Sequence, residues 1–129
     1  MKVIVLTGRI LYALIFIVSG FTHFTDQSIK YAETQSVPTA PLAVPLSGIM
    51  AILGGISILI GLKAKWGAWL IVLFLIPVTL LMHNFWSVSD PMMRQMQLSM
   101  FMKNISMLGA ALLIAYHGAG PLSLDNKKE

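Results

Sequence analysis

Residues 42–86 read LAVPLSGIMAILGGISILIGLKAKWGAWLIVLFLIPVTLLMHNFW and decide the fold. They contain two apolar runs, 42–62 and 66–86, which are separated only by the lysine-alanine-lysine connection 63–65. An α-helix of about 20 apolar residues crosses the hydrocarbon core of a bilayer, and each run has that length. Because the connection is so short, the two helices must run antiparallel. The stretch therefore predicts a transmembrane hairpin.

The rest of the chain extends this pattern on both sides. Further apolar runs occupy residues 3–24 and 98–119, and 57% of the 129 residues are hydrophobic while 11% are charged. Soluble domains carry about 25% charged residues. We therefore predict an all-α fold in which residues 1–129 form a single transmembrane domain, a four-transmembrane-helix antiparallel bundle. The residues outside the four apolar runs are too few to form a soluble catalytic domain.

The composition also excludes several functional classes. The chain has no cysteine, which removes disulfides, thiolate nucleophiles and thiolate metal ligands. The net charge of +4 comes from basic residues that are scattered singly. Such scattering is typical of the flanks of membrane spans and not of a nucleic-acid surface. We expect the lipid bilayer as a partner and no nucleic acid.

The first connection, residues 25–41, carries most of the polar sequence outside the spans. Thr25 or Asp26 is suited to begin a helix there, and Pro38 and Pro41 end it. We therefore predict a short surface helix in the first external loop.

The basic residues predict an orientation. An even number of spans places both termini on one side, and the side richer in Lys and Arg faces the cytoplasm. One end of the bundle carries Lys2, Arg9, Lys63, Lys65, Lys127 and Lys128, and the other carries Lys30, Arg94 and Lys103. Both termini are therefore expected in the cytoplasm.

Small residues line the second and fourth spans, where they allow helix backbones to approach closely. They are Gly48, Ala51, Gly54, Gly55, Ser57 and Gly61, and Ser106, Gly109, Ala110, Ala111 and Ala115. Packing within one chain and a homo-oligomer are both compatible with this pattern.

Polar side chains gather at one depth near the predicted outer surface. They are His23, Asp26, His83, Asn84 and Lys103, from three different spans and one loop. Burying an ionisable side chain in a membrane costs free energy unless it is paired or hydrated. A cluster of these side chains is therefore a candidate ligand-binding site. The alternative is that the histidines are ordinary interfacial residues and that Lys103 extends outward to the headgroups.

A second polar level lies at the predicted cytoplasmic end, where Arg9 shares a depth with Tyr116 and His117. Arg9 is expected to have a structural role, either bonding the last carbonyls of a neighbouring helix or extending to lipid phosphates.

Two metal chemistries receive little support. His23 and His83 are at the ends of spans, where a haem would lack a deep pocket. Met92, Met96 and Met100 recur at helical spacing and suit Cu(I), but methionine at this spacing more often packs. No catalytic constellation is present, so we assign no catalytic residues and no metal ligands.

Several segments together resemble the DoxX family of small four-helix membrane proteins. They are the run from Arg9 through Ser19-Gly20-Phe21 to His23, the Gly54-Gly55 to Gly61 pattern, His83-Asn84-Phe85-Trp86, Phe101 to Ile105 with Lys103-Asn104, and the closing GAGPLSLD of residues 118–125. The resemblance covers nearly the whole chain.

The resemblance implies a bundle integral to the bacterial inner (plasma) membrane. Relatives with this fold include quinone-linked thiosulfate oxidoreductase subunits and membrane partners of redox enzymes. Many relatives carry a glutamate where this chain has Ala51 and a lysine where it has His23, which argues against catalysis. We expect a non-catalytic membrane subunit or partner of a redox enzyme, with quinone as the candidate ligand. The alternatives are a thiosulfate:quinone oxidoreductase subunit and a small-solute or metal transport protein.

Overall fold

The computed structural model describes residues 1–128, so that Glu129 of the predicted domain lies outside the described residues. The elements are α1 (Lys2–Thr22), α2 (Asp26–Thr34), α3 (Ala40–Ile60), α4 (Ala64–Met82), a 3₁₀ turn at Phe85–Ser87, α5 (Pro91–His117) and a 3₁₀ turn at Asp125–Lys128. Within this range all regular structure is helical, which confirms the predicted fold class. Four helices are long and apolar enough to span a membrane, namely α1, α3, α4 with its following turn, and α5.

Helix starts follow the capping residues. Thr25 begins α2, and its hydroxyl accepts a hydrogen bond from the Ser28 amide, as predicted for a surface helix in the first connection. The last long helix begins earlier than its apolar run, because Asp90 caps it by accepting from the Met93 amide and Pro91 occupies its first turn. An acidic N-cap followed by proline is a strong start signal even ahead of polar residues.

The helices pack in the order α1, α3, α4, α5, and α2 lies against α3. A hydrogen bond of 2.7 Å from the Tyr12 hydroxyl to the Met107 carbonyl also joins α1 to α5. The side chains at the centre are Ala13, Phe16, Ala51, Ile58, Ala68, Ile71, Val72, Phe74, Leu75 and Ala111. Outside this core most large apolar side chains are exposed. Such a surface is suited to a lipid solvent.

Glycines allow α1 and α3 to approach closely. A Cβ on Gly48 would lie 2.6 Å from the Gly20 carbonyl oxygen and 2.8 Å from the Cβ of His23. The predicted role of small residues therefore holds on α3. Gly109 of α5 makes no such close approach within the chain, since the position of its Cβ has no neighbour within 4 Å among the described residues.

The segment after α5 folds back across the end of the bundle that carries both termini, here called the terminal end. The Leu124 amide donates to the Ile60 carbonyl and the Asp125 amide donates to the Gly61 carbonyl, at 3.2 and 2.8 Å. The Asp125 carboxylate accepts from the Lys63 and Ala64 amides, at 2.7 and 3.0 Å. The segment thus satisfies the free carbonyls that end α3 and the free amides that begin α4. Residues 118–127 are called the tail below.

Candidate functional site

A cavity of about 700 Å³ lies at the opposite end of the bundle, here called the α2 end. The end of α1, the surface helix α2, the first half of α3 and the second half of α4 enclose it. Its lining residues are Thr22, His23, Gln27, Ser28, Tyr31, Ala32, Val37, Pro38, Ala43, Val44, Leu46, Ser47, Met50, Leu73, Phe74, Pro77, Val78, Leu81, Met82 and His83. A mostly apolar cavity of this size with a few polar groups is typical of a small-molecule site.

Helix α2 and the turn after it form one wall of this cavity. Thr25 begins α2 and orients it over α3, and Ala32 is fully buried between them. The Val37 amide then donates to the Ala32 carbonyl, at 3.1 Å, which turns the chain toward α3. A polar surface helix therefore closes a cavity whose other walls are membrane-spanning helices.

His23 follows the last residue of α1 and contributes the first imidazole. Its Nδ1 lies 2.8 Å from the Ser47 hydroxyl of α3, and its ring packs against Phe74 of α4 with centroids 5.6 Å apart. The half-buried ring is therefore held from two sides. Its position is fixed by side chains that lie about 24 and 50 residues further along the chain.

His83 follows α4 and contributes the second imidazole. Its Nδ1 lies 2.8 Å from Oε1 of Gln97 on α5. The Gln97 amide nitrogen in turn donates to the Tyr31 hydroxyl of α2, at 3.4 Å. This chain of bonds connects α2, the end of α4 and α5 at one level.

The cavity contains two members of the predicted polar cluster. His23 and His83 both line it, whereas Asp26, Asn84 and Lys103 are outside its lining among residues 1–128. Asp26 is exposed in the first turn of α2, and Lys103 is exposed on α5, a helix that contributes no described lining residue. Equal depth in the bundle did not bring the five together, because the rotation of each helix directs some of them outward.

Three polar residues of this region were not predicted: Ser47, Tyr31 and Gln97. Ser47 is one hydroxyl in an apolar run, and Tyr31 and Gln97 lie in polar stretches with no distinctive spacing. The packing of α3 against α1 brings Ser47 to His23. The positions of α2 and of the first turns of α5 bring Gln97 to His83 and Tyr31 to Gln97. No sequence signal identified them.

The cavity also reaches the outer surface of the helices. Leu46 of α3 and Leu73 of α4 line it and are nevertheless 54% and 60% exposed. Both belong to membrane-spanning segments, so their exposed faces meet acyl chains. The site is therefore accessible to a lipophilic molecule that is already dissolved in the bilayer.

Arg9 lies at the terminal end, far along α1 from the cavity. It is only 5% exposed, and its Nη2 donates to the Leu122 carbonyl of the tail. Its Nε and Nη1 are buried with no hydrogen-bond partner within the described residues. The hydrogen bond of Arg9 is therefore to a carbonyl of the tail, whereas we expected the last carbonyls of a neighbouring helix or lipid phosphates. His117 is exposed on α5 and is separate from it.

The described part of the chain contains no group of three or more His, Asp or Glu placed to hold a metal ion. Met92 and Met96 of the predicted methionine stripe are exposed on α5. They therefore do not converge on an enclosed site.

Comparisons with known proteins identify a family and several related membrane proteins. The DoxX family model matches residues 4–84. The chain is 29% identical to the inner membrane protein YphA of Escherichia coli (strain K12), over 97% of this chain and 90% of that protein. It is 33% identical to the inner membrane protein YqjF of the same organism, over 96% of this chain and 93% of that protein.

A more distant similarity reaches a eukaryotic protein. The chain is 32% identical to the ER-derived vesicles protein ERV29 of Saccharomyces cerevisiae, over 63% of this chain and 26% of that protein. No solved structure matches the chain.

Proposed function

This chain belongs to the DoxX family, and from that premise we propose that it is a non-catalytic inner-membrane subunit that binds a quinone-like molecule for a redox partner. The observation that carries the proposal is the cavity at the α2 end. Its walls are apolar, its lipid side is open, and two imidazoles line it. A quinone needs an apolar channel for its ring and tail and a few polar groups for its oxygens.

The quinone part of the proposal is tested by what the protein retains. We expect the protein purified in mild detergent to carry quinone, counted as the sum of its oxidised and reduced forms, in its extracted lipids, at a substantial fraction of one per chain. His23→Phe and His83→Phe keep aromatic bulk but remove the polar atoms, so each should lower retention several-fold. His117→Phe, on an exposed histidine outside the cavity, should retain as much as the parent chain. Equal retention in all three variants would contradict the assignment.

The redox partner is the part of the proposal that rests on family resemblance. A subunit without catalytic groups of its own needs an enzyme to use the bound molecule. We expect a native-membrane pull-down to recover a redox enzyme in stoichiometric amount. Recovery of a copper protein, or of the chain alone, would count against this partner.

We place the protein in the inner membrane with both termini in the cytoplasm. The names of the two Escherichia coli relatives support the membrane, and the excess of basic residues at the terminal end supports the orientation. The chain has no cysteine, so single introduced cysteines report topology directly. Lys30→Cys should react with a membrane-impermeant maleimide in intact spheroplasts, and Lys65→Cys only after lysis. The reverse pattern would invert the orientation.

A further inference from the structure

The hydrogen bonds behind the two cavity histidines determine what each imidazole offers to a ligand. A neutral imidazole has one nitrogen that donates and one that accepts. The partner of the first nitrogen therefore fixes the role of the second. In both rings it is Nδ1 that contacts the protein.

The role of His23 follows from Ser47. The single hydroxyl hydrogen of Ser47 is donated to the Val44 carbonyl, at 2.6 Å, and a carbonyl can only accept. The Ser47 oxygen must then accept from Nδ1 of His23, at 2.8 Å. Nδ1 carries the hydrogen, and Nε2 of the neutral ring is left with a lone pair.

The same logic applies to His83. Its Nδ1 lies 2.8 Å from Oε1 of Gln97, an amide oxygen that only accepts, while the Gln97 nitrogen is directed to Tyr31. Nδ1 of His83 therefore also donates, and its Nε2 is an acceptor. Neither Nε2 makes a hydrogen bond within residues 1–128. Each nevertheless keeps some exposed surface, because neither is among the buried side-chain atoms that lack a partner. Both acceptors are therefore accessible, on residues that line the cavity.

We propose that the cavity selects a lipophilic molecule that donates hydrogens through ring hydroxyls, so that it binds the quinol form in preference to the quinone. This inference rests on the proposed function and specifies which redox state the site holds. A quinol hydroxyl can donate to the Nε2 lone pair of either histidine and leave the bonds to Ser47 and Gln97 intact.

A quinone carbonyl meets the same lone pairs unfavourably, because both groups only accept. Binding it requires a change of tautomer that breaks the bond to Ser47 or Gln97, or a proton taken up from water. Loss of one such partly buried hydrogen bond corresponds to about a tenfold change in affinity. The expected preference for the quinol is therefore about tenfold.

The test is a binding comparison on the purified protein in lipid nanodiscs. Decylubiquinol, kept reduced under nitrogen, should bind about tenfold more tightly than decylubiquinone. A long-chain 4-alkylphenol should likewise bind more tightly than its methyl ether. These two molecules differ in one donor hydrogen, and the pair is not redox-active. Equal affinity within both pairs would overturn the inference and leave the proposed function standing. Absence of binding by all four molecules would overturn both.

Two variants separate hydrogen-bond polarity from simple fit. Ser47→Ala removes the acceptor that fixes the His23 tautomer and leaves the cavity intact, so the quinol preference should fall while quinone affinity rises. His83→Gln introduces an amide that can donate to a carbonyl and should act in the same direction. His117→Gln makes the same exchange outside the cavity and should keep the parent preference. An unchanged preference in Ser47→Ala and His83→Gln would contradict the tautomer argument.

Discussion

Asp125→Ala is expected to lower the free energy of unfolding by about 2 kcal/mol and to make the tail sensitive to protease. The carboxylate accepts from two amides at the start of α4, where a helix end favours a negative charge. Its charge also acts on the buried Arg9 guanidinium. Removing it leaves two amides without their acceptor and a buried cation without the negative charge of Asp125. Thermal unfolding in detergent and limited proteolysis of the tail measure the two effects.

Two further variants show whether the cap or the charge carries the effect. Asp125→Asn retains one acceptor oxygen and should lose roughly half as much stability. Arg9→Met removes the cation. In that background Asp125→Asn should lower the free energy of unfolding by less than it does in the parent chain. Asp26→Ala removes another exposed acid from the first turn of a helix and should be nearly neutral, since Thr25 caps that helix. A tail as resistant in Asp125→Ala as in the parent chain would refute the role of Asp125.

Gly48→Leu is expected to be the most damaging single substitution, destabilising the bundle by at least about 3 kcal/mol. The first atom of the new side chain would lie 2.6 Å from the backbone oxygen of Gly20, and a helix backbone cannot move aside as a side chain can. We expect α1 and α3 to separate, with low yield in the membrane and a large fall in the unfolding temperature. Since His23 is also displaced, ligand retention should fall as well.

Gly109→Leu is the matched control for this substitution. Both positions lie inside membrane-spanning helices, and leucine favours a helix over glycine by the same amount at each. The Cβ of residue 109 has no neighbour within 4 Å in the described part of the chain. Gly109→Leu should therefore be neutral or slightly stabilising. If both substitutions destabilise the bundle equally, the loss of glycine itself is the cause and the close contact with Gly20 is not.

Most of the fold was predictable because its determinants are local. Span length, the three-residue connection between α3 and α4, and the Thr25 cap depend only on neighbours in sequence. The apolar run 98–119 did not locate the start of α5, because it begins well after the Asp90-Pro91 signal. Hydropathy locates the lipid-embedded part of a helix, and capping chemistry locates where the helix begins.

The candidate site was predictable only in part. Depth along the bundle follows from position in each span, and two of the residues chosen by depth, His23 and His83, line the cavity. The rotation of each helix depends on packing between spans that are distant in sequence. This packing places Lys103 and Asp26 outside the cavity and brings Ser47 and Gln97 to the histidines. The tail was noticed only as a family motif, because its role depends on the exposed ends of α3 and α4.

The bond between Arg9 and the tail has a consequence for biosynthesis. A ribosome delivers residue 9 to the bilayer long before it has made the Leu122 carbonyl and the Asp125 carboxylate. During that interval the nascent protein holds a guanidinium whose final neighbours do not yet exist, and an arrested translation product keeps it in that condition. Only after residues 118–125 have been made can the Arg9 guanidinium bond the Leu122 carbonyl and be compensated by the Asp125 carboxylate.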